Sequence, residues 1–421
     1  MPSPSPPDPT GQHPGRPGPT GPDRTGPGPG EPGAPLRVST LELFFDLVFA
    51  FTLTQLTALL ADHLSPAGVT QVLLIFGVLW WMYGGYAWLT NTRTPDRTVE
   101  RLLLLVGMAG FLVVGLALPR GFSHAGFSRA GLVLGLGYLV VVLVHATLYY
   151  RVNQNIARVA PFNLASAGCV ILAGVFGGAA AYALWAAALA IQVLSPLIVR
   201  VAGRFEIQPA HFVERHGALV IVALGESVAA VGIGASRLAV NAQVVTSAVL
   251  GLALSAALWW IYFGGGDDER AERAMTDASR ERRPGLALAA YFYAHIPMLL
   301  GIVVLAAGVT LTIGNAAQPH PVGQALAVGG GTALFLAGHA MFRRVLGFDA
   351  RGIGPVWPRF GTAVFALATT ALGAAVAIEA QLAVLLAGLV AMLAVERRRE
   401  AGWRGDAGGR LDAGGHRPER G

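Results

Sequence analysis

Between residues 41 and 396 the chain alternates apolar runs of about twenty residues with short polar loops. Twelve such runs can be marked, at 41–61, 69–90, 99–118, 131–150, 159–178, 180–200, 216–236, 243–264, 285–311, 322–342, 360–378 and 380–396. A run of about twenty apolar residues spans a hydrocarbon core of ~30 Å. Lipid cannot satisfy backbone polar groups, so such runs cross it as helices. The expected fold is an all-α polytopic membrane protein of about 12 transmembrane helices. Charged residues make up only 13% of the chain, against about 25% in a soluble domain. The tightest turns fall at Gly177-Gly178 and near Glu379-Ala380-Gln381.

Both ends differ from this core. Residues 1–36 are Pro- and Gly-rich and read as a disordered tail, and 397–421 read as a second, Arg-rich tail. Between them lie two membrane units, 37–200 and 201–396. The first apolar run lacks the short h-region and cleavage motif of a signal peptide. A single cysteine, Cys169, excludes a disulfide framework within the chain.

All 30 basic residues are Arg. With abundant Gly, Ala and Pro, this fits a GC-rich bacterial genome. Alternate loops carry seventeen arginines on one side of the membrane (Arg93 to Arg359) and three on the other (Arg120, Arg129, Arg237). The positive-inside rule then places both termini in the cytoplasm of a multi-pass plasma-membrane protein. Because the excess of +6 is spread over loops and tail, it points to membrane lipids as partners and away from nucleic acid.

The two halves share landmarks. Trp80-Trp81-Met82-Tyr83 recurs as Trp259-Trp260-Ile261-Tyr262, and His145-Ala146 recurs as His339-Ala340. Glu42 opens run 1 as Glu214 opens run 7, and Pro161 and Pro358 sit near the starts of runs 5 and 11. The separations are 172, 179, 194 and 197 in chain order, as a duplication with loop insertions would leave. Six spans per half is even, so the halves would form a 6+6 parallel repeat about an axis along the membrane normal.

Acids and histidines inside these runs are the candidates for chemistry, since intramembrane ionisable groups are costly and face cavities or partners. Glu42 and Asp46 lie one helical turn apart. Ser39 and Glu42 also fit a capping box, a purely local role; Asp46 lies too deep to share it. In run 7, His211, Arg215, Val222 and Glu226 fall on one face. Glu226 is ten residues past His216, about 15 Å along the axis and near mid-membrane, with Ser227 beside it. The expectation is that Glu226 points into a polar cavity shared with His295 or Asp46. Glu214 and Arg215 read as an ion pair at the cytoplasmic mouth. His295 lies two residues before Pro297, which cannot donate to Tyr293 and should kink the helix. His145 and His339 sit near the cytoplasmic ends of their spans, where shared packing is the plainer reading. No helix carries a metal-binding pair such as His-Glu-x-x-His, and no phosphate-cradling glycine loop follows a strand. Neither a metal nor a cofactor is expected.

Three ordered segments resemble the bacterial low-temperature-requirement protein A (LtrA) family. They are Leu41 through Phe49, His211 through Ser227, and Tyr291 through Gly301 with His295 and Pro297. The likeness covers about residues 37–396. It implies a multi-spanning bacterial membrane protein with no agreed catalytic residues to carry over. Phe45-Asp46 also looks a little like the first-helix phenylalanine–serine–aspartate motif of potassium channels built from six-span repeats, with the serine absent. The leading expectation is a transporter of a small solute or proton working through Asp46, Glu226 and His295. The alternatives are a cation channel, or a membrane enzyme or sensor acting on lipid-linked substrates through Glu226, Ser227 and His295.

Overall fold

A computed structural model describes residues 37–92, 95–122, 126–150, 158–199, 207–236, 238–348 and 356–413. The expected N-terminal tail, 1–36, lies outside these residues; of the expected C-terminal tail, 397–413 are described and helical. Every regular element among the described residues is helical. Among the described residues, ten helices are long and apolar enough to cross a membrane. The first six runs give α1 (Thr40–Asp62), α2 (Pro66–Thr92), α3 (Thr98–Ala117), α4 (Arg129–Tyr150), α5 (Ala160–Phe176) and α6 (Gly178–Val199). Next come α7 (Pro209–Ala235), α8 (Ala242–Phe263) and a short amphipathic helix, α9 (Asp267–Asp277). The chain ends with α10 (Arg283–Ala287), α11 (His295–Thr312), α12 (Val322–Val345), α13 (Trp357–Ala368), α14 (Thr370–Ala375) and α15 (Ile378–Ala413).

Two of the twelve apolar runs give less than a full-length span. α5 has 17 residues, hence about 25 Å of rise, short of a ~30 Å core. Run 11 is split into α13 and α14 at Thr369, whose hydroxyl bonds back to the Ala366 carbonyl at 2.7 Å and competes with the helix ladder. The final helix continues past Arg397-Arg398-Arg399, beyond the last apolar run.

Local sequence explains most boundaries. Ser39 caps α1 in a complete capping box with Glu42, and Asn241 caps α8 through Val244 N–H at 2.9 Å. Proline opens α5, α7, α10 and α13, where no N–H is needed. Gly177 turns the chain between α5 and α6 at φ 63°, and a Cβ there would lie 2.1 Å from the Gly126 carbonyl oxygen.

The effect of Pro297 differs from a simple kink. Residues Leu288–Tyr293 form a π-helical turn between α10 and α11. Ala294 N–H reaches back five residues to Ala289 at 3.1 Å. The Ala290 carbonyl, its partner in an α-helix, instead accepts from His295 Nδ1 at 2.9 Å. The widened turn thus frees the Ala290 carbonyl to fix the His295 ring.

Helix packing follows one scheme in both parts of the chain. α1 packs on α2 and α3, α3 on α4, α4 on α5, α5 on α6, and α6 back on α2. α7 packs on α8 and α11, α11 on α12, α12 on α13 and α14, these on α15, and α15 back on α8. α1 and α7 pack against each other. Glycines let the backbones close: a Cβ on Gly301 of α11 would meet Gly331 O and Phe335 N of α12 at 2.6 Å.

Candidate functional site

The first polar cluster lies where α1, α2 and α7 converge. Two residues four apart on α1, Glu42 and Asp46, face two residues four apart on α7, His211 and Arg215. Arg215 Nη1 donates to Glu42 Oε1 at 2.9 Å and to the Thr90 hydroxyl, and Nη2 donates to Asp46 Oδ1 at 3.2 Å. The guanidinium carbon lies 5.8 Å from the Phe45 ring centre and 5.7 Å from that of Tyr83, within cation–π range. Glu42 Oε2 meanwhile accepts from Ser39 N–H at 2.9 Å and Ser39 Oγ at 2.8 Å. Glu42 therefore caps its helix and holds a buried cation at once.

Partners fix the protonation of His211. Asn91 pairs with the Gln208 backbone, its Oδ1 accepting and its Nδ2 donating, both at 3.0 Å. Its amide therefore presents N–H to His211 Nδ1 at 3.2 Å. The ring proton then sits on Nε2 and donates to Glu42 at 3.3 Å. With His211 neutral, two carboxylates share one guanidinium, a formal charge of −1. Tyr83 donates to Asp46 Oδ1 at 2.9 Å, while Asp46 Oδ2 is buried without a hydrogen-bond partner among the described residues. Fully buried ions are normally paired and hydrogen-bonded throughout; this oxygen departs from that rule, as does Arg215 Nε.

The second cluster joins α9, α12, α13 and α15. Asp267 Oδ2 accepts from Arg343 at 3.0 Å and lies 3.7 Å from Arg359, and its Oδ1 accepts from Arg270 at 3.2 Å. Arg359 also grips Glu396 with two parallel bonds of 3.0 Å. Arg359 donates to His339 Nδ1, so His339 carries its proton on Nε2, 3.9 Å from Asp267 and beyond hydrogen-bond reach. Between the two clusters lies an aromatic layer. His295 Nδ1 donates to Ala290, so Nε2 accepts from Tyr262 O–H at 3.0 Å. Ring centres of His216 and His295 are 5.4 Å apart.

The sequence candidates thus separate. Glu42, Asp46 and Arg215 meet; His295 and His339 both lie against Tyr262 and Phe342. His145 sits apart among Tyr86 and Tyr149, and Gly85 leaves room for its ring: a Cβ there would be 2.6 Å from Nε2. Two expectations are corrected. The Glu214–Arg215 mouth pair does not form, because neighbours on a helix point about 100° apart. Arg215 is buried, and Glu214 is exposed and accepts from Val38 N–H at 3.3 Å. Nor does Glu226 join Asp46 or His295. It is half-buried, eleven residues or about 16 Å along α7 from Arg215, and takes its hydrogen bond from Thr54 of α1. Ser227 is buried, and among the described residues its hydroxyl has no hydrogen-bond partner. Tyr83, Thr90, Asn91, Asp267, Arg343, Arg359 and Glu396 complete the clusters; in the sequence only Tyr83 stood out, within the Trp-Trp-Met-Tyr run.

Residues 37–395 match the family described as bacterial low temperature requirement A protein. An uncharacterized protein of Rhizobium meliloti (strain 1021) is 28% identical over 320 residues, 72% of this chain and 76% of the other. All three segments that carry the sequence resemblance lie inside the matched region. With its many apolar helices, the chain is a multi-pass membrane protein that belongs to the LtrA family.

Proposed function

We propose that this protein is a transporter of a small solute or proton in the bacterial plasma membrane, with Asp46 as its proton- or cation-binding group. The observation that carries this reading is the unpartnered Asp46 Oδ2 in a buried site of formal charge −1. A proton or small cation there neutralises the site and supplies the missing contact. Arg215 holds the other oxygen in place, and Tyr83 can follow the change by turning its hydroxyl.

The architecture we attach to this reading is twelve spans in two parallel six-helix repeats, with both termini cytoplasmic. The support is a shared burial register. Every buried residue of α4, from Gly131 to Tyr149, has a buried counterpart 194 residues later in α12. Every buried residue of α3 has one 191 later in α11, and every buried residue of α8 from Ser247 on follows a buried α2 residue by 179. Ala181, Trp185, Ala188, Gln192 and Ser195 map by 197 onto Ile378, Leu382, Leu385, Leu389 and Met392, all buried. The glycine crossing recurs too: a Cβ on Gly110 would meet Gly137 O and Val141 N, the counterparts of Gly331 and Phe335. Not every landmark fits. Trp80 is buried where Trp259 is 42% exposed, and Glu42 is buried where Glu214 is exposed. For α1 and α7 the matching register is 174, not 172: Phe45, Phe49, Leu53 and Leu56 pair with Leu219, Ala223, Ser227 and Ala230.

Infrared difference spectra of the purified chain in lipid, taken between acidic and alkaline buffer, test the site without knowledge of the solute. A buried protonated-carboxyl band is expected and should vanish in Asp46→Asn. Proteoliposomes with an entrapped pH dye should collapse an imposed proton gradient, and Asp46→Asn should not. The reading fails if the band survives the substitution, or if conductance is steady and identical in both proteins.

A further inference from the structure

A cleft of about 130 Å³ opens between the C-terminal end of α2, the start of α3 and the end of α4. Arg97 and Glu100 stand at its mouth, Leu103, Leu104 and Leu148 form its walls, and Thr90 lines its floor. Thr90 is also the residue whose hydroxyl accepts from Arg215 Nη1. Arg215 in turn reaches Asp46 through Nη2. One threonine side chain therefore separates the cleft from the buried ion cluster.

We infer that this cleft is the aqueous access route to the Asp46–Arg215 cluster, admitting hydronium and small hydrated cations from the side of the Arg-rich loops. Its volume accommodates about four waters at ~30 Å³ each. Thr90, Arg97, Glu100 and Thr147 set polar side chains among the lining residues, which favours water over a lipid chain in this space. The corresponding place in the second half is filled. By the registers above, Glu100, Leu104 and Leu148 map to Tyr291, His295 and Phe342. Those three rings pack together, with centres 5.3 Å apart for Tyr291–His295 and Tyr291–Phe342, and 5.7 Å for His295–Phe342. A near-symmetric molecule that is open on one side and packed on the other has a reason to differ there, and the open side leads to the site with the unpartnered acid. The inference rests on Asp46 as the ion site and on the repeat.

Thiol labelling of the full chain in a Cys169→Ser background tests the route. Leu104→Cys in the wall and Thr90→Cys at the floor should react with small charged methanethiosulfonates of both signs. Adding Thr147→Trp at the exposed mouth should slow both about tenfold, a barrier of about 1.4 kcal/mol. Leu104→Cys leaves the Thr90–Arg215 contact intact, so it decides the matter if Thr90→Cys does not fold. Reaction with an uncharged maleimide alone means a lipid-filled crevice and overturns the inference, as does labelling indifferent to Thr147→Trp. Labelling does not depend on proton binding. A reactive cleft without the Asp46 infrared band sinks the proposed function and keeps the route; the converse sinks only the route.

Discussion

The two buried ion clusters use the same residue types to opposite ends. Around Asp267 and Glu396, each carboxylate oxygen has an arginine donor, and Arg343, Arg359 and Arg270 outnumber the two acids. That cluster ties α9, α12, α13 and α15 together at one end of the helices and leaves no acid to take up a proton. Around Arg215 the ratio reverses: two acids share one cation and one carboxylate oxygen has no partner. The first arrangement suits a clamp, and the second suits a site that must change its charge. The same chemistry becomes scaffold or switch according to whether cations or anions are in excess.

Removing the shared cation should have the largest effect. Arg215→Met leaves Glu42 and Asp46 buried, adjacent and uncompensated. Losing one partner of a buried ion pair costs about 3–5 kcal/mol, and here two partners are stranded. Thermal unfolding in detergent should show a large loss, or the variant should fail to accumulate in the membrane. The triple variant Glu42→Gln/Asp46→Asn/Arg215→Met should recover much of it, because no unpaired charge remains. A triple variant as unstable as the single one would mean that Arg215 acts through packing on Phe45 and Tyr83.

Asp267→Asn probes the clamp. It strips the anion from Arg343 and Arg270, while Arg359 keeps Glu396. The expected loss is about 3 kcal/mol, at the lower end for a broken buried pair, read from the same unfolding curves. Proton-dependent infrared bands should be unchanged. A loss of the buried carboxyl band in Asp267→Asn would make the second cluster part of the switch and dissolve the contrast.

How legible these clusters were differs with the physics behind them. Helices, capping and the spacing of α4 and α12 depend on periodicity, which a sequence carries on its face. The i,i+4 pairs on α1 and α7 were each visible, but their meeting depends on where two helices 170 residues apart cross, which no local pattern encodes. Arg215, Arg343 and Arg359 counted as loop charges in the topology argument, yet all three are buried. An arginine one turn inside a helix end reads the same whether it faces water or a carboxylate. Asp267 was hidden in the charged run Asp267-Asp268-Glu269-Arg270, where a solvated loop was the natural reading and α9 the outcome. Depth alone pointed to Glu226, but depth says nothing of rotation about the helix axis, and its side chain turns to Thr54.

The smallest effect on stability is expected at Asp46, the residue on which the proposed function rests. Asp46→Asn keeps an oxygen where Tyr83 and Arg215 donate, so the two bonds to Oδ1 survive. The new amide group replaces an oxygen that had no partner and gains none, a cost of about 1–3 kcal/mol for an orphaned buried donor. Against this, the cluster changes from a formal charge of −1 to zero, with Glu42 and Arg215 left as a matched pair, and the desolvation penalty of the surplus anion disappears. The two terms oppose each other, so the net change should stay within about 1 kcal/mol. That is well below the loss in Asp267→Asn, although both substitutions neutralise one buried aspartate. Parallel unfolding of the two variants measures the difference directly. If Asp46→Asn costs as much as Asp267→Asn, Asp46 is held as firmly as a clamp residue, and the surplus of acid around Arg215 no longer argues for a site built to change its charge.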